Sequence, residues 1–332
     1  MNRIFDYDLP PDRIAQRPLE KRDQARLMVV DREKNSIEHF IFRDIVNFFS
    51  AEDVVVLNDS RVIPSRLYGR KKTGGHIELL LLRKVDEKTW EALIRGKVKP
   101  GVKLHFADIS ALVLEKNKIG SWMVQFDADD QKISEIGKMP IPPYMKRVSD
   151  ERDNIDYQTV YAKKHGSIAA PTAGLHFTDD TLEQLKSKGV RICFLTLHIG
   201  WASFRRIDFD GEKPVVLPEF FEISEETASV INNAMNSGKK ICAVGTSTVR
   251  ALESCFVNGA VVARKGSTDL FIKPGYHFHC INSMITNFHL PGSTHLYMVC
   301  AFGGTSLIQR AYLTAIEKKY RFYSYGDAML II

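Results

Sequence analysis

The sequence predicts an α/β protein: a large domain with a mostly parallel sheet flanked by helices, and a small β-barrel inserted into it. Three observations carry this expectation. Apolar strand-like runs alternate with amphipathic helical stretches early in the chain and again from the middle to the end. Between them, from residue 66 to about 126, short β runs follow one another, separated by Gly, Lys and Asp, with no helical stretch. At 332 residues the chain also exceeds what one hydrophobic core usually fills. The domains are therefore expected at 1–65 with 150–332, discontinuous, and at 66–149, inserted.

Residues 26–31 and 53–58 read as strands, the second (Asp-Val-Val-Val-Leu-Asn) apolar enough for burial on both faces. An amphipathic helix is expected at 43–49 between them. The barrel strands are expected at 76–83, 89–95, 102–106, 109–115 and 120–126, and Pro140 to Pro143 stiffens the return linker. Beyond it, Thr178 caps a helix with Asp179 and Asp180 in its first turn and Gly189 at its end. A strand at 190–198 follows. The unit recurs with a helix from Ser224 to Gly238, a buried strand at 240–244 and a helix carrying Arg250. It recurs again with a strand at 284–288 and a helix capped by Ser293.

The longest apolar run falls far short of a membrane span, and Arg3 and Asp6 interrupt any secretory signal, so a cytoplasmic protein is expected. Five scattered cysteines without a Cys-x-x-Cys pair argue against a disulfide framework and against a thiolate zinc site. Residues 66–150 hold 17 Lys and Arg against 11 Asp and Glu, while the remainder holds 29 of each, so the whole net charge of +6 sits in the barrel segment. Such an excess suits a phosphate-backbone surface, although solvated lysines give the same count.

The most informative stretch runs from Gly166 to Thr178, where Gly and Ala side chains too small to fill a core surround Pro171, Thr172, Gly174 and His176. It reads either as a ligand wall or as a tight crossing of elements. In an open α/β sheet ligands bind at the carboxyl edge of the strands. That rule gathers His176, His198, Thr246 with Arg250, Asn287 with His289, and the Asn58-Asp59-Ser60-Arg61 cluster on one rim. No dinucleotide glycine motif, phosphate loop or Gly-x-Ser-x-Gly is present. His277-Phe-His-Cys280 could offer metal ligands, but no carboxylate or second cysteine at ligand spacing accompanies it, and no metal is expected.

Several strings resemble the S-adenosylmethionine:tRNA ribosyltransferase-isomerase family of queuosine biosynthesis. They are Phe5-Asp-Tyr-Asp-Leu-Pro10, Leu57-Asn-Asp-Ser-Arg-Val-Ile-Pro64, Lys72-Thr-Gly-Gly75, Tyr157-Gln-Thr-Val-Tyr-Ala162 and Gly166 to Thr178. Val244-Gly-Thr-Ser-Thr-Val-Arg-Ala-Leu-Glu253, Ile285-Thr-Asn-Phe-His-Leu-Pro291 and Tyr325-Gly-Asp-Ala-Met329 complete the set. The resemblance spans nearly the whole chain. It implies transfer and isomerisation of the ribosyl part of S-adenosylmethionine onto 7-aminomethyl-7-deazaguanine at the tRNA wobble position, releasing adenine and methionine. S-adenosylmethionine is then consumed as a substrate, and no resident cofactor, membrane or obligate protein partner is expected of what should be a monomer.

On this reading His176, His198 and His289 are candidates for proton transfer, since the positive sulfur acidifies the adjacent ribose carbon and a base is needed there. Asp59 would bind the ribose hydroxyls or the substrate amine, and Arg61 and Arg250 the methionine carboxylate or an RNA phosphate. Thr172, Gly174, Thr246 and Asn287 would line and orient, and Arg70, Lys71 and Lys72 would hold tRNA. The chain departs from the family's usual pattern at Leu197-His-Ile-Gly-Trp-Ala-Ser-Phe-Arg-Arg-Ile207, notably at Ala202 and Arg206. It departs again at 216–221, where Val-Leu and Phe replace a Met-His pair and Tyr, and at Gly292 and His295. Two other readings compete: a tRNA-binding homologue with lost or altered activity, and an α/β enzyme acting on a free nucleoside.

Overall fold

The computed structural model describes residues 5–117, 120–201 and 216–332, and between 202 and 215 only the backbone of the short strands Phe209–Asp210 and Lys213–Pro214. The departures at Ala202 and Arg206 lie outside the described side chains.

Nine strands form the large sheet, in the order Arg264–Thr268, Glu219–Ile223, Arg191–Leu197, Val54–Asn58, Ile241–Val244, Ser283–Asn287, Ala328–Ile331, Arg26–Asp31 and Ser36–Ile41. The four at its centre are parallel, with Cys193, Val56, Ala243 and Met284 in one row. Towards the outside, antiparallel pairings appear, as where Ser283–Asn287 meets Ala328–Ile331. Central strands bury both faces because their side chains alternate between two apolar layers. Val54 and Val56 join one layer with Leu195, Ala243 and Met284, whereas Val55 and Leu57 join the other with Val244 and Ile285.

Helices cover both layers. Glu225–Asn236 begins at Ser224, whose hydroxyl accepts from the Thr227 N–H, and buries Ala228, Ile231 and Ala234. Asp179–Ser187 begins at Thr178, which accepts from the Thr181 N–H, and buries Leu182 and Leu185. Thr294–Gly303 is capped by Ser293. The helix expected at 43–49 is a 3-10 helix, Phe42–Phe48, with Phe42 and Ile45 buried. Its apolar residues three apart line up at three residues per turn and meet the sheet without a full α-helical face.

Six antiparallel strands close the barrel: Trp122–Phe126, Thr89–Arg95, His76–Lys84, Arg66–Lys71, Lys103–Phe106 and Ile109–Lys116. Along His76–Lys84, Ile77, Leu79 and Leu81 face the interior, where they meet Leu104, Phe106 and Phe126. The strand Arg66–Lys71 was not singled out from sequence. Closure depends on it, since a Cβ at Gly69 would lie 2.4 Å from both the His105 carbonyl oxygen and the Phe106 ring. The helix Asp130–Ile136, just beyond the expected strands, sends Ile133 into the barrel core.

Chain entry and exit run side by side. Arg66 and Lys138 exchange backbone hydrogen bonds of 3.1 and 2.8 Å. On the return path the buried Asp153 carboxylate accepts from both terminal nitrogens of Arg147, at 2.6 and 2.7 Å, and from Arg17 at 3.2 Å. Burial would raise the pKa of Asp153, but these bonds hold it below the ordinary carboxylate range.

Asn58 terminates the central strand, fully buried, with every amide position used. Its Nδ2 donates to the Leu197 carbonyl at 2.9 Å and to Ser247 Oγ at 3.2 Å, and its Oδ1 accepts from the Ser60 and Leu197 N–H groups at 3.1 and 3.0 Å. Replacement by Leu, similar in size, leaves both Leu197 backbone groups without this partner. Asn58→Leu should therefore cost about 3 kcal/mol, the penalty for several stranded buried polar groups. In urea unfolding this appears as a lower midpoint at unchanged slope; an unchanged midpoint would show that Asn58 does not hold this edge.

Candidate active site

The four parallel strands end at the same edge of the sheet, and two cavities meet there. The smaller, about 90 Å³, is bounded by Thr172, Thr246, Arg250, Asn287, His289 and His295. The larger, about 1370 Å³, is a cleft between the barrel wall, with Leu81, Trp90 and Ile133, and the large domain, with Arg61, His198 and Trp201. Ile199 and Glu219 line both.

Each group in the small cavity is held by the fold. Gly245, at φ 89°, turns the chain from its strand into the helix Thr246–Ser254, and Arg250 projects one turn on. Arg250 Nε donates to the Leu270 carbonyl and Nη2 to the Thr268 carbonyl, both at 3.0 Å, while Nη1 pairs with Glu219 Oε2. Glu219 Oε1 accepts the Gly200 N–H at 2.7 Å. Asn287 accepts from Thr172 Oγ1 at 2.8 Å, which fixes the hydroxyl direction. The backbone of His289 is clamped by Tyr312 and Tyr7, and its Nε2 meets Thr286 Oγ1 at 2.7 Å. The ring stacks on His295 at 5.0 Å and 20°. Burial drives both imidazoles below their ordinary pKa, His289 well below and His295 to about 4, with His295 and Arg250 respectively adding to the effect. At neutral pH both rings are uncharged.

In the cleft, His198 is sandwiched. Phe220 stacks on one face at 5.8 Å and 19°, and Gly166 lies so close to the imidazole that a Cβ there would come within 2.9 Å of it. Gly166 adopts φ 141°. The small-residue run thus packs a histidine at this point. Burial lowers the His198 pKa as well, with Glu222 opposing the shift and Lys164 adding to it. Arg61 reaches into the same cleft, donating weakly to the Ala162 carbonyl at 3.4 Å.

Three of the residues expected to act on the donor, His176, Gly174 and Asp59, line neither cavity. His176 ends a buried 3-10 turn, Thr172–His176, that tucks its ring against Phe42 and behind Asn287, whose Nδ2 lies 3.1 Å from His176 Nε2. Burial, aided by Arg321 and Arg22, lowers its pKa to about 3. Its contact is with the side chain that orients Thr172. Gly174 is glycine for packing, because a Cβ would lie 1.9 Å from the Tyr161 hydroxyl. The Asp59 carboxylate, whose pKa burial raises, accepts from Thr196 Oγ1 at 2.6 Å behind the edge. Thr246 lines the small cavity, one residue past Gly245, which caps its helix. Arg70, Lys71 and Lys72 lie at the end of a barrel strand outside both cavities, with Arg70 and Lys72 exposed and Lys71 Nζ on the Lys97 carbonyl at 3.1 Å. His277 and His279 sit 5.0 Å apart in a loop, and among the described residues no three His, Cys, Asp or Glu side chains gather as a metal site. All five cysteines are buried thiols.

Sequence reasoning missed Glu219. A signal was available: in Glu219–Ile223 the carboxylate occupies the same alternate phase as the buried Phe221 and Ile223. An acid on the inward face of a strand requires a partner. Leu217 and Phe220, within the segment that departs from the family pattern, line the cleft.

A mixed sheet with an inserted barrel, and charged and imidazole groups gathered where the parallel strands end beside an interdomain cleft, defines an α/β enzyme fold with its site between two domains. The chain matches the family described as queuosine biosynthesis protein over residues 2–331, and it belongs to that family. It is 46% identical to the S-adenosylmethionine:tRNA ribosyltransferase-isomerases of Halothermothrix orenii and Thermotoga maritima, across 99% of this chain and 98% of each relative. Its identity to the Staphylococcus epidermidis protein of the same name is 44%. The crystal structure of S-adenosylmethionine tRNA ribosyltransferase from Thermotoga maritima superposes with a TM-score of 0.59 at 38% identity, covering 99% of this chain and all of that one.

His176 sets a pH dependence of stability. Its imidazole protonates at about 6.5 when unfolded but only near 3 when folded, so between these values the unfolded chain binds the extra proton. The contribution is complete above about pH 6.5 and is lost as pH falls through this window. His176→Gln should flatten the decline in stability between pH 6.5 and 4 by up to about 1.4 kcal/mol per pH unit. Denaturant melts at several pH values check this, and an unchanged slope would place the titration elsewhere.

Proposed function

We propose that the chain transfers and isomerises the ribosyl part of S-adenosylmethionine onto 7-aminomethyl-7-deazaguanine in the tRNA wobble position, giving epoxyqueuosine-tRNA with adenine and methionine released. The observation that carries this reading is the junction of a small, charged cavity with a large cleft. A compact donor and a nucleotide from a macromolecule need two compartments that meet at the reacting atoms. Relatives that carry the ribosyltransferase-isomerase name match the chain along its whole length, which favours neither of the two competing readings.

The sulfonium of the donor acidifies the ribose carbon beside it, and a neutral base must take that proton. His289 lines the small cavity, is uncharged at neutral pH and is fixed by Thr286, Tyr7 and Tyr312, which makes it the favoured base over His176. Thr172, aimed by Asn287, and the His198 ring would stabilise oxygen charge or assist the departing base from opposite sides of the junction. S-adenosylmethionine is consumed, so no resident cofactor is required. No helix among the described residues is long and apolar enough to cross a membrane. We place the protein in the cytoplasm, where its tRNA substrate is, and expect it to act as a monomer.

The direct test incubates the protein with S-adenosylmethionine and tRNA bearing the aminomethyl-deazaguanine and follows adenine release. Release should depend on that tRNA, and His289→Ala should slow it about a hundredfold or more, as expected for loss of a positioned base. No release above background, with tRNA still bound, would leave a binding protein instead. Removing charge at Arg70, Lys71 and Lys72 should weaken tRNA binding and flatten its salt dependence, since each phosphate contact adds to that slope. An unchanged slope would put the RNA on another surface.

A further inference from the structure

The Glu219–Arg250 pair lines the junction and takes no part in the proton transfer. It is a buried carboxylate and guanidinium with side chains only 7% and 14% exposed, joined at the point where the two cavities meet. Three different groups grip Arg250: Glu219, the Leu270 carbonyl and the Thr268 carbonyl. These use three of the five N–H donors of a guanidinium and leave one on each terminal nitrogen, in a residue that lines the cavity. Glu219 is fixed from the other side by the Gly200 N–H. Neither charge swings freely, so their spacing is set before any ligand arrives.

A rigid pair of opposite charges facing a small cavity matches a ligand carrying both charges on adjacent atoms, which is the chemistry of an α-amino acid. We propose that the Glu219–Arg250 pair is the subsite for the amino-acid end of the donor, Arg250 taking the α-carboxylate and Glu219 the α-ammonium. The remaining surroundings agree. At about 90 Å³ the cavity has room for a small charged head but not for a whole nucleoside, which belongs in the 1370 Å³ cleft. His289 and His295 are neutral there and add no third charge to compete for either end. The sulfonium then lies beyond the head group, towards the junction. Free methionine carries the same head group and should compete with the donor. This assignment rests on the proposed ribosyl transfer and deepens it.

The test is titration calorimetry on the full chain with three probes: S-adenosylmethionine, 5′-methylthioadenosine, which lacks the amino-acid end, and decarboxylated S-adenosylmethionine, which keeps the ammonium alone. Glu219→Gln should weaken S-adenosylmethionine and its decarboxylated form by at least about tenfold while leaving 5′-methylthioadenosine unchanged. Arg250→Gln should weaken S-adenosylmethionine by a similar factor and leave the decarboxylated form unchanged. Retained 5′-methylthioadenosine affinity also shows that each variant is folded. Equal losses for all three probes, or no loss for any, would overturn the subsite while wild-type binding of S-adenosylmethionine leaves the functional reading standing. A wild-type chain that bound no S-adenosylmethionine at all would overturn both.

Discussion

The buried amide of Asn58 is the constraint on which the site depends. It sits where the central strand stops and joins that strand to Leu197 of one neighbour and to Ser247 of the helix that follows another. Parallel strands do not align their ends by themselves, because register is set only where side chains or turns fix it. With all four amide positions satisfied, Asn58 ties the end of its strand to Leu197, which runs on beyond the Leu195–Asn58 pair, and to Ser247 at the helix start. The cavities form over that edge. Arg250 reaches the small one because its helix starts there, and His198 enters the cleft because its strand ends there.

Charge is then distributed with economy. Around the small cavity the histidines are held neutral by burial, while the only strongly charged groups named there, Arg250 and Glu219, neutralise one another. A buried ion pair contributes little net stability, and its retention is better explained by specificity. The barrel carries the whole basic excess of the chain, and it forms the opposite wall of the cleft, which is the side from which a polyanion would approach.

The fold was legible wherever local chemistry decided it. Thr178, Ser224 and Ser293 announce their helices by capping, and the apolar run at 54–57 announces a strand buried on both faces. The barrel showed itself through alternation, apart from Arg66–Lys71, whose basic and glycine residues hide a strand needed for closure. The site was legible by position but not by direction. Thr172, Thr246, Arg250, Asn287 and His289 do meet around one cavity, because a strand-to-helix junction places them at the carboxyl edge. His176 and Asp59 are near the same edge yet turn behind it, since a 3-10 turn and a one-residue step past a strand end reverse the side-chain direction. Glu219 escaped notice because its partner, Arg250, lies 31 residues away in sequence. Gly166 to Thr178 proved to be both things at once: a packing surface for His198 and Tyr161 at its glycines, and a cavity wall at Thr172.

Reaction at the point where the small cavity opens into the cleft is tested by a crystal structure of the protein with S-adenosylmethionine and an anticodon stem-loop. The donor should lie across Ile199 and Glu219, with its ribose within reach of His289 and the target nucleotide entering from the barrel side. A donor bound wholly within the cleft, away from Arg250 and His289, would contradict it.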